Sequence, residues 1–473
     1  MIVQENRIDF KSLEQEIFKR VCEWGCELLK QALEHCDNKL MLNRDRTVYR
    51  HKGPRKTAIK TVMGTVEYER GVYQRKNEDG TKSCVFLLDE AMGKEGSGFM
   101  SEMLSEMVVK AACEGSYRST SRSVSELTGQ MLSHTAAWNV VQELGKRVDL
   151  QEKQASNAAA AHKGRGTLES PVLFEEQDGI WLNLQGKDRK THGKNKEMKV
   201  AIAYDGAKQT GKKRYELTNK VACANFETVN KFQKRKEGVV AQTYKVDEIE
   251  MRLLNGDGAQ WIRGAQTDET VHFQLDPFHR NKAIRTYVKN PEMRENITVL
   301  LYSKDIGTLL AYIEALSNSV EDETERENLL ALLTYFTNNK DGLVPCHRRG
   351  LNLPEPPEGI EYRRMGAMES NVFTLIGNRM KGRRACWSVN GGNNLARLLC
   401  LKATKKLSQT LQTLTSVVLP IQYTEEIITN LSPAKVAKSV GKGYNGFSKA
   451  APSPATPEYK WLRDIGALRS FVN

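Results

Sequence analysis

The chain has 473 residues, and its 71 Lys and Arg exceed its 58 Asp and Glu, giving a formal net charge of +13 and a pI near 9.1. That length predicts about two to four domains, and 39% hydrophobic with 27% charged residues excludes a wholly disordered chain. The positive excess points to a polyanionic partner, nucleic acid ahead of a membrane, or else only to solubility.

Residues 10–40 space Leu13, Ile17, Val21, Leu28, Leu29, Leu33 and Leu40 at roughly helical intervals, which predicts one long amphipathic helix or two. From Thr57 the period becomes two. Ile59, Thr61 and Met63 alternate before Gly64, and Val66, Tyr68 and Arg70 after it, predicting a hairpin, followed by a turn at Asp79-Gly80 and a short apolar run at 85–88. Lys52, Arg55, Lys56, Lys60, Arg70, Arg75 and Lys76 make this region basic, as backbone contact with DNA would require and as a solvated strand face would also show. Three short helices are predicted over 103–146, the second stopping at Gly129 and the third capped by Ser133. That outline is a helix-turn-helix. His134, Thr135, Trp138, Asn139 and Gln142 fall opposite the apolar face of the third helix, where base-reading groups or any surface residues would stand.

Residues 151–170 carry little bulky apolar content and predict a linker. In 175–184 an acid sits within a strand-like run: Asp178 follows Val172, Leu173 and Phe174 and precedes Ile180, Leu182 and Leu184. A strand carboxylate is costly unless something positive meets it. Further apolar runs at 198–204 and 221–224, a helical stretch to 250 and a short strand ending at Asp257 complete a strand-strand-strand-helix-strand order, the layout of a ribonuclease H-like core. That layout makes the first and fourth strands parallel neighbours and sets Asp178 and Asp257 roughly 5 Å apart. Two such carboxylates repel unless cations bridge them, and a pair of Mg²⁺ or Mn²⁺ ions suits the gap.

The third acid is expected on a helix at Glu369, with Val372 and Ile376 recurring on its face towards the sheet. Asp276 and His279 form an Asp-x-x-His at a helix start, either hydrogen-bonded structure or a means of orienting phosphate or metal-bound water. Leucine-rich stripes over 291–343 predict a helical insertion between the second and third acids. Arg379, Lys381, Arg383 and Arg384 make either a phosphate clamp or a charged loop. Helices close the core over 395–414, and the basic, Pro-rich tail at 431–473 is expected to be flexible. The expected class is therefore α+β and multidomain: 1–100 a helix and hairpin, 101–150 a helix-turn-helix, 171–290 and 361–430 the two parts of the core, 291–360 its insertion.

Nine scattered Cys without a Cys-x-x-Cys pair exclude a zinc ribbon and a disulfide framework and are expected as reduced thiols. No leader-like segment and no apolar run of roughly 18 residues is found, so the expected place is the cytoplasm, on the nucleoid.

With these residues in hand, the chain resembles the ISLre-type bacterial insertion-sequence transposases, relatives of the Mutator-like DDE transposases. The resemblance spans nearly the whole chain. It rests on Gln177-Asp-Gly-Ile-Trp, Gly256-Asp-Gly-Ala-Gln-Trp-Ile, Leu275-Asp-Pro-Phe-His-Arg-Asn-Lys-Ala, Met368-Glu-Ser-Asn, Asn378-Arg-Met-Lys and Cys386-Trp-Ser, with Thr61-Val-Met-Gly-Thr-Val-Glu-Tyr-Glu-Arg and Gly115-Ser-Tyr-Arg upstream. It implies a DDE triad of Asp178, Asp257 and Glu369 holding two metal ions, with Asp276 and His279 as the Asp/Cys-x-x-His signature. Glu176 shares the strand face of Asp178 and is an alternative to it. The implied activity is strand cleavage at terminal inverted repeats and transfer to target DNA, by at least a dimer on DNA. An inactive domesticated DNA-binding protein and a structure-selective nuclease on the same core are the other expectations.

Overall fold

The computed structural model describes residues 9–77, 79–93, 99–265, 269–382 and 384–415. The described residues divide into two compact units, one up to Ser101 and the other from Glu102 onward. In the first, α1 (Phe10–Asn43) is a single helix capped by Asp9, whose carboxylate accepts from Ser12 N–H at 3.2 Å. Strands β1 (Tyr49–Lys60) and β2 (Thr65–Lys76) pair antiparallel. The turn between them is closed by Thr61, whose hydroxyl accepts from the N–H groups of Met63 and Gly64, each at 3.1 Å. With β3 (Lys82–Val85), α2 (Leu87–Ala91) and β4 (Phe99–Met100) the sheet order is β3-β2-β1-β4. Leu33 and Cys36 of α1 pack on Ile59, Val66, Tyr68, Leu88 and Met92, while Lys52, Arg55, Lys56 and Lys60 stay exposed.

The second unit opens with α3 (Glu102–Glu114), α4 (Tyr117–Thr128) and α5 (His134–Ala160). Gly129, at φ +67°, ends α4, and the Ser133 hydroxyl accepts from Ala136 N–H at 3.0 Å to start α5. The linker expected over 151–170 is not one at its start: α5 runs on through it to Ala160. Small residues there form a close helix contact rather than a flexible join, since a Cβ on Gly238 would lie within 2.7 Å of the Ser156 backbone. Alanine is also the strongest helix former. Consequently no domain boundary falls at 150, and the three helices share one unit with the sheet that follows.

That sheet is built from β5 (Val172–Leu184), β6 (Asn195–Tyr204), β9 (Val221–Asn225), β10 (Met251–Gly256) and β11 (Val271–Leu275) in the order β11-β10-β5-β6-β9. Helix α6 (Gly186–His192) lies between β5 and β6. A small hairpin, β7 (Ala207–Gly211) with β8 (Arg214–Leu217), follows β6, and α7 (Val229–Ala241) follows β9. The β5–β6 and β6–β9 pairings are antiparallel, and those of β10 with β5 and β11 are parallel. After β10 come α8 (Gln260–Arg263) and then, beyond β11, α9 (Pro277–Tyr287), α10 (Pro291–Ser303), α11 (Ile306–Ser319) and α12 (Glu323–Asn338). Their buried Ile284, Ile297, Leu309, Ile313, Leu329 and Phe336 share a core with Phe273 and Leu275 of β11.

A helical segment returns the chain to the sheet: α13 (Met368–Val372), a π-turn over Phe373–Gly377 and α14 (Asn378–Met380). Then β12 (Cys386–Trp387) pairs parallel with Asn183 and Leu184 of β5, and α15 (Val389–Ala403) and α16 (Leu407–Thr415) close the unit. Helices α5 and α15 pack so tightly that a Cβ on Gly145 would stand 2.8 Å from the Asn394 backbone. The tail expected to be flexible at 431–473 lies outside the described residues. All nine Cys are free thiols.

Behind the sheet, α5, α7 and α15 are tied by charge. Arg397 lies 2.7 Å from Asp149 and 3.0 Å from Glu152, and Arg235 lies 2.8 Å from Asp149. Removing one partner of a buried cluster leaves uncompensated charge. Arg397→Ala should therefore lower unfolding free energy by about 3–5 kcal/mol in urea denaturation, whereas Lys19→Ala, at an exposed pair with Glu23, should change it by well under about 1 kcal/mol.

Candidate metal centre

Strand β5 is longer than its neighbour β10. Their pairing ends at Gln177 opposite Gly256, and the same edge of β5 is not joined again until β12 reaches Asn183. Between those points the edge is open. Asp178 stands at the first open position, Asp257 one residue past the end of β10, and Asp276 one residue past the end of β11, since Gly256 also pairs with Leu275. Carboxyl ends of parallel strands are where open sheets place ligand crevices.

Asp178 is partly buried, and its Oδ1 accepts from the Gly179 N–H at 2.7 Å. Burial pushes its carboxyl up to about 6. The Gly179 hydrogen bond and His279 oppose that rise, and the charges of Asp257 and Glu369 add to it. The carboxylate of Asp257 accepts from Ala259 N–H at 2.8 Å, and its carbonyl from the Tyr335 hydroxyl at 2.7 Å. The chain turns at Gly258, φ +87°, where a Cβ would strike the Asn339 side chain at 2.6 Å.

Asp276 caps α9, accepting from Phe278 N–H at 2.8 Å and His279 N–H at 3.2 Å. His279 Nδ1 lies 3.5 Å from Asp276 Oδ1. Asp276 pushes the imidazole up, burial opposes, and Asp178 and Asp257 push the same way as Asp276. In Asp276 itself, burial raises the carboxyl, but hydrogen bonds from His279 and Asn255 outweigh it and leave it lowered. The hydrogen bond from His279 to Asp276 is made by its main-chain N–H, which places the residue in the first turn of α9 beside the remaining acids.

Asp178, His279 and Glu369 each offer one ligand atom, and these atoms lie within 4.8 Å of one another. At cation–ligand bonds of about 2.1 Å, donors on opposite sides of one ion stand about 4.2 Å apart and adjacent donors about 3 Å, so the trio would share one ion after its side chains draw inward. Two carboxylates suit Mg²⁺ or Mn²⁺, and the imidazole favours a transition ion such as Mn²⁺. Among the described residues this is the grouping that meets the distance, so His279 joins it and Asp257 stands beside it. Glu369 is exposed rather than on the buried stripe of its helix, which Met368, Val372, Leu375 and Ile376 form.

Glu175 and Glu176 both lie inside. Glu175 pairs with Lys236 and, at 2.9 Å, with Arg252. Glu176 accepts from the Tyr204 hydroxyl at 2.6 Å and the Asn255 amide at 2.9 Å, and neither acid reaches the open edge. Glu197 of β6 escaped the sequence reading. Its side chain crosses Gly179, where a Cβ would meet its Oε1 at 2.0 Å, and Asp257 is close enough to help raise its carboxyl after burial has done so. The signal for it was only Gly179 itself, directly after Asp178.

Two expected DNA contacts are committed elsewhere. Gln142 is 7% exposed and accepts from the Asn394 amide at 2.8 Å within the α5–α15 contact, because α5 is covered on more than its apolar stripe. Arg379 donates to the Ala112 carbonyl at 2.7 Å and lies over the rings of Tyr117 and Trp387, which bolts its helix to α3 and α4. His134, Thr135, Trp138 and Asn139 are exposed at the start of α5, as are Lys381 and Arg384. Arg383 lies outside the described residues.

Residues 3–410 match the model of an uncharacterised protein family, UPF0236. The chain belongs to the UPF0236 family. A UPF0236 protein of Streptococcus gallolyticus, named for its place in the vanSb 3′ region, is 24% identical over 395 residues, 82% of this chain and 81% of that protein. Another, from Caldanaerobacter subterraneus subsp. tengcongensis, is 25% identical over 300 residues, and its name joins four locus designations. The match covers 61% of this chain but only 57% of that UPF0236 relative. Among solved structures, the Drosophila P element transposase strand transfer complex matches 74% of this chain and 90% of that one at 9% identity and a TM-score of 0.21, a likeness too slight to carry weight. No described helix of this UPF0236 chain is long and apolar enough to cross a membrane.

A carboxyl raised by folding makes the folded state less stable once it ionises: the loss begins above the ordinary value near 4 and is complete above about 6. Asp178→Asn should therefore raise stability in chelator at pH 8 by on the order of 2–3 kcal/mol and leave it nearly unchanged at pH 4. The same substitution should abolish the rise in Tm that millimolar Mn²⁺ gives the unaltered chain in a thermal shift measurement.

Proposed function

We propose that this chain is a DNA transposase that binds the terminal inverted repeats of its own element, cleaves there, and transfers the freed strand to target DNA. The observation carrying this reading is the meeting of Asp178, His279 and Glu369 at the open edge of β5, beside Asp257. Three antiparallel strands followed by two parallel ones, with first and fourth adjacent, fit a ribonuclease H-like core. Helices α10 to α12 fall between the second and third acids, as the insertion of an ISLre-type, Mutator-like enzyme would. The relative whose name joins four locus designations fits a coding sequence that recurs within one genome, as a mobile element's does.

Asp178, Glu369 and His279 would hold one divalent ion, Mg²⁺ or Mn²⁺, and Asp178 with Asp257 a second. Bound there, such ions supply a water of lowered pKa and neutralise charge on a phosphodiester in line for displacement. Asp276 caps the helix that carries His279 and so sets where that side chain starts. Burial of Asp178 and the Gly179 N–H fix the carboxylate that both ions would share. Exposed His134, Thr135, Trp138 and Asn139 at the first turns of α5 would read bases in the major groove after the manner of a helix-turn-helix. The basic strands of the first unit, with Lys381 and Arg384, would meet phosphates. Two element ends must be held at once, so at least two copies would assemble on DNA.

The test is a nicking assay on duplexes carrying the element's own ends. Cleavage is expected in Mg²⁺ or Mn²⁺ and none in chelator. Asp178→Asn and Asp257→Asn should each reduce it by at least about 1,000-fold while leaving end binding intact, and His279→Ala by about 10- to 100-fold. Undiminished cutting by the Asp257 variant would sink the assignment. Binding of the ends without any cutting would favour an inactive DNA-binding protein, and preference for branched over linear DNA a structure-selective nuclease.

A further inference from the structure

We propose that Glu176 is a positioning residue: a buried carboxylate that sets where both Glu369 and His279 stand without itself touching an ion. The proposal rests on the reading of Asp178, His279 and Glu369 as ligands of a divalent cation. Glu176 is 0% exposed, yet its two oxygens are met by five donors. Three are consecutive backbone N–H groups, of Gly366 and Met368 to Oε2 at 3.1 Å each and of Ala367 to Oε1 at 3.2 Å. They immediately precede Glu369.

The first N–H groups of a helix have no partner within it. Ala367 flanks this one and has no capping side chain, so β5 supplies the cap from across the core. Gly366, at φ +125°, turns the backbone so that three successive N–H groups converge on one anion. A carboxylate at this end also complements the helix dipole. The first turn of the helix carrying Glu369 is thus pinned to the strand carrying Asp178, two residues from it.

The same carboxylate is linked to the other side of the site. The Asn255 amide donates one hydrogen to Glu176 Oε2 at 2.9 Å and the other to Asp276 Oδ2 at 2.7 Å. Gln274 orients that amide by donating to its oxygen at 3.0 Å, and Cys346 N–H in turn donates to Gln274 at 2.8 Å. Asp276 faces His279 through its other oxygen. Two ligands on separate helices therefore hang from one polar chain through the sheet. Partners of this kind behind a metal ligand typically contribute 10- to 100-fold in affinity.

The experiment is a Mn²⁺ titration of the full chain followed by electron paramagnetic resonance, with circular dichroism and Tm for each variant. Glu176→Gln, which sets an amide N–H against donors, should weaken Mn²⁺ binding about 10- to 100-fold. Ala367→Pro removes one of the three N–H groups without altering the carboxylate and should weaken it about 10-fold. Tyr204→Phe, which removes a hydrogen bond to the same carboxylate from the core side, should lower Tm yet leave Mn²⁺ affinity within about twofold. A folded Glu176 variant with unaltered affinity overturns the proposal, as does a Tyr204 variant that loses as much as the others. If Glu176→Gln does not fold, Ala367→Pro decides alone. Loss of Mn²⁺ binding in Asp178→Asn, measured alongside, keeps the cation reading separate; an unaltered chain that binds no Mn²⁺ removes both.

Discussion

Crowded negative charge is the constraint that shapes the second unit. Asp178, Asp257 and Asp276 end up abreast because three neighbouring strands run parallel in matched register and two of them stop one residue earlier. Burial disfavours the charged form of Asp178 most, and the charges of Asp257 and Glu369 add to that cost. The surrounding structure resists it by rigidity: Gly179, Ala259, Phe278 and His279 donate to these oxygens through main-chain N–H groups, whose positions a side-chain rotation cannot relax. A fold arranged for stability alone would not assemble such a cluster of acids.

Much of this was legible in the chain. Asp178 shows itself because alternation in 172–184 is clean enough to expose one misplaced acid, and Asp257 because it ends a short apolar run with a glycine on each side. Helices α10 to α12 declare themselves through leucine spacing. Glu369 depends far more on family resemblance, since the local pattern puts it on the buried stripe and the fold puts it beside that stripe. The π-turn that follows breaks the regular spacing on which such a projection relies.

What stayed hidden has one cause. Polar residues were read by type, and the interior of this unit uses polar residues as fasteners. Gln142 and Arg379 look available and are held by Asn394 and Ala112; Glu176 looks like a second Asp178 and is buried two residues away from it. Partners 190 or more residues distant in sequence, as with Gly366 and Met368, leave no trace in local periodicity. The misplaced linker has the same origin, because Ala-rich sequence is equally suited to a join and to a tight helix crossing, and only Gly238 opposite decides between them.

Helix α5 has a mechanical meaning of its own. Its 27 residues span about 40 Å, with exposed side chains at one end and the Asp149 and Glu152 ion pairs past its middle. A rod of that kind has no elbow. Whatever meets its first turn is kept at a fixed stand-off from the sheet that the rod backs, like a gauge block, rather than at a distance chosen anew on each encounter.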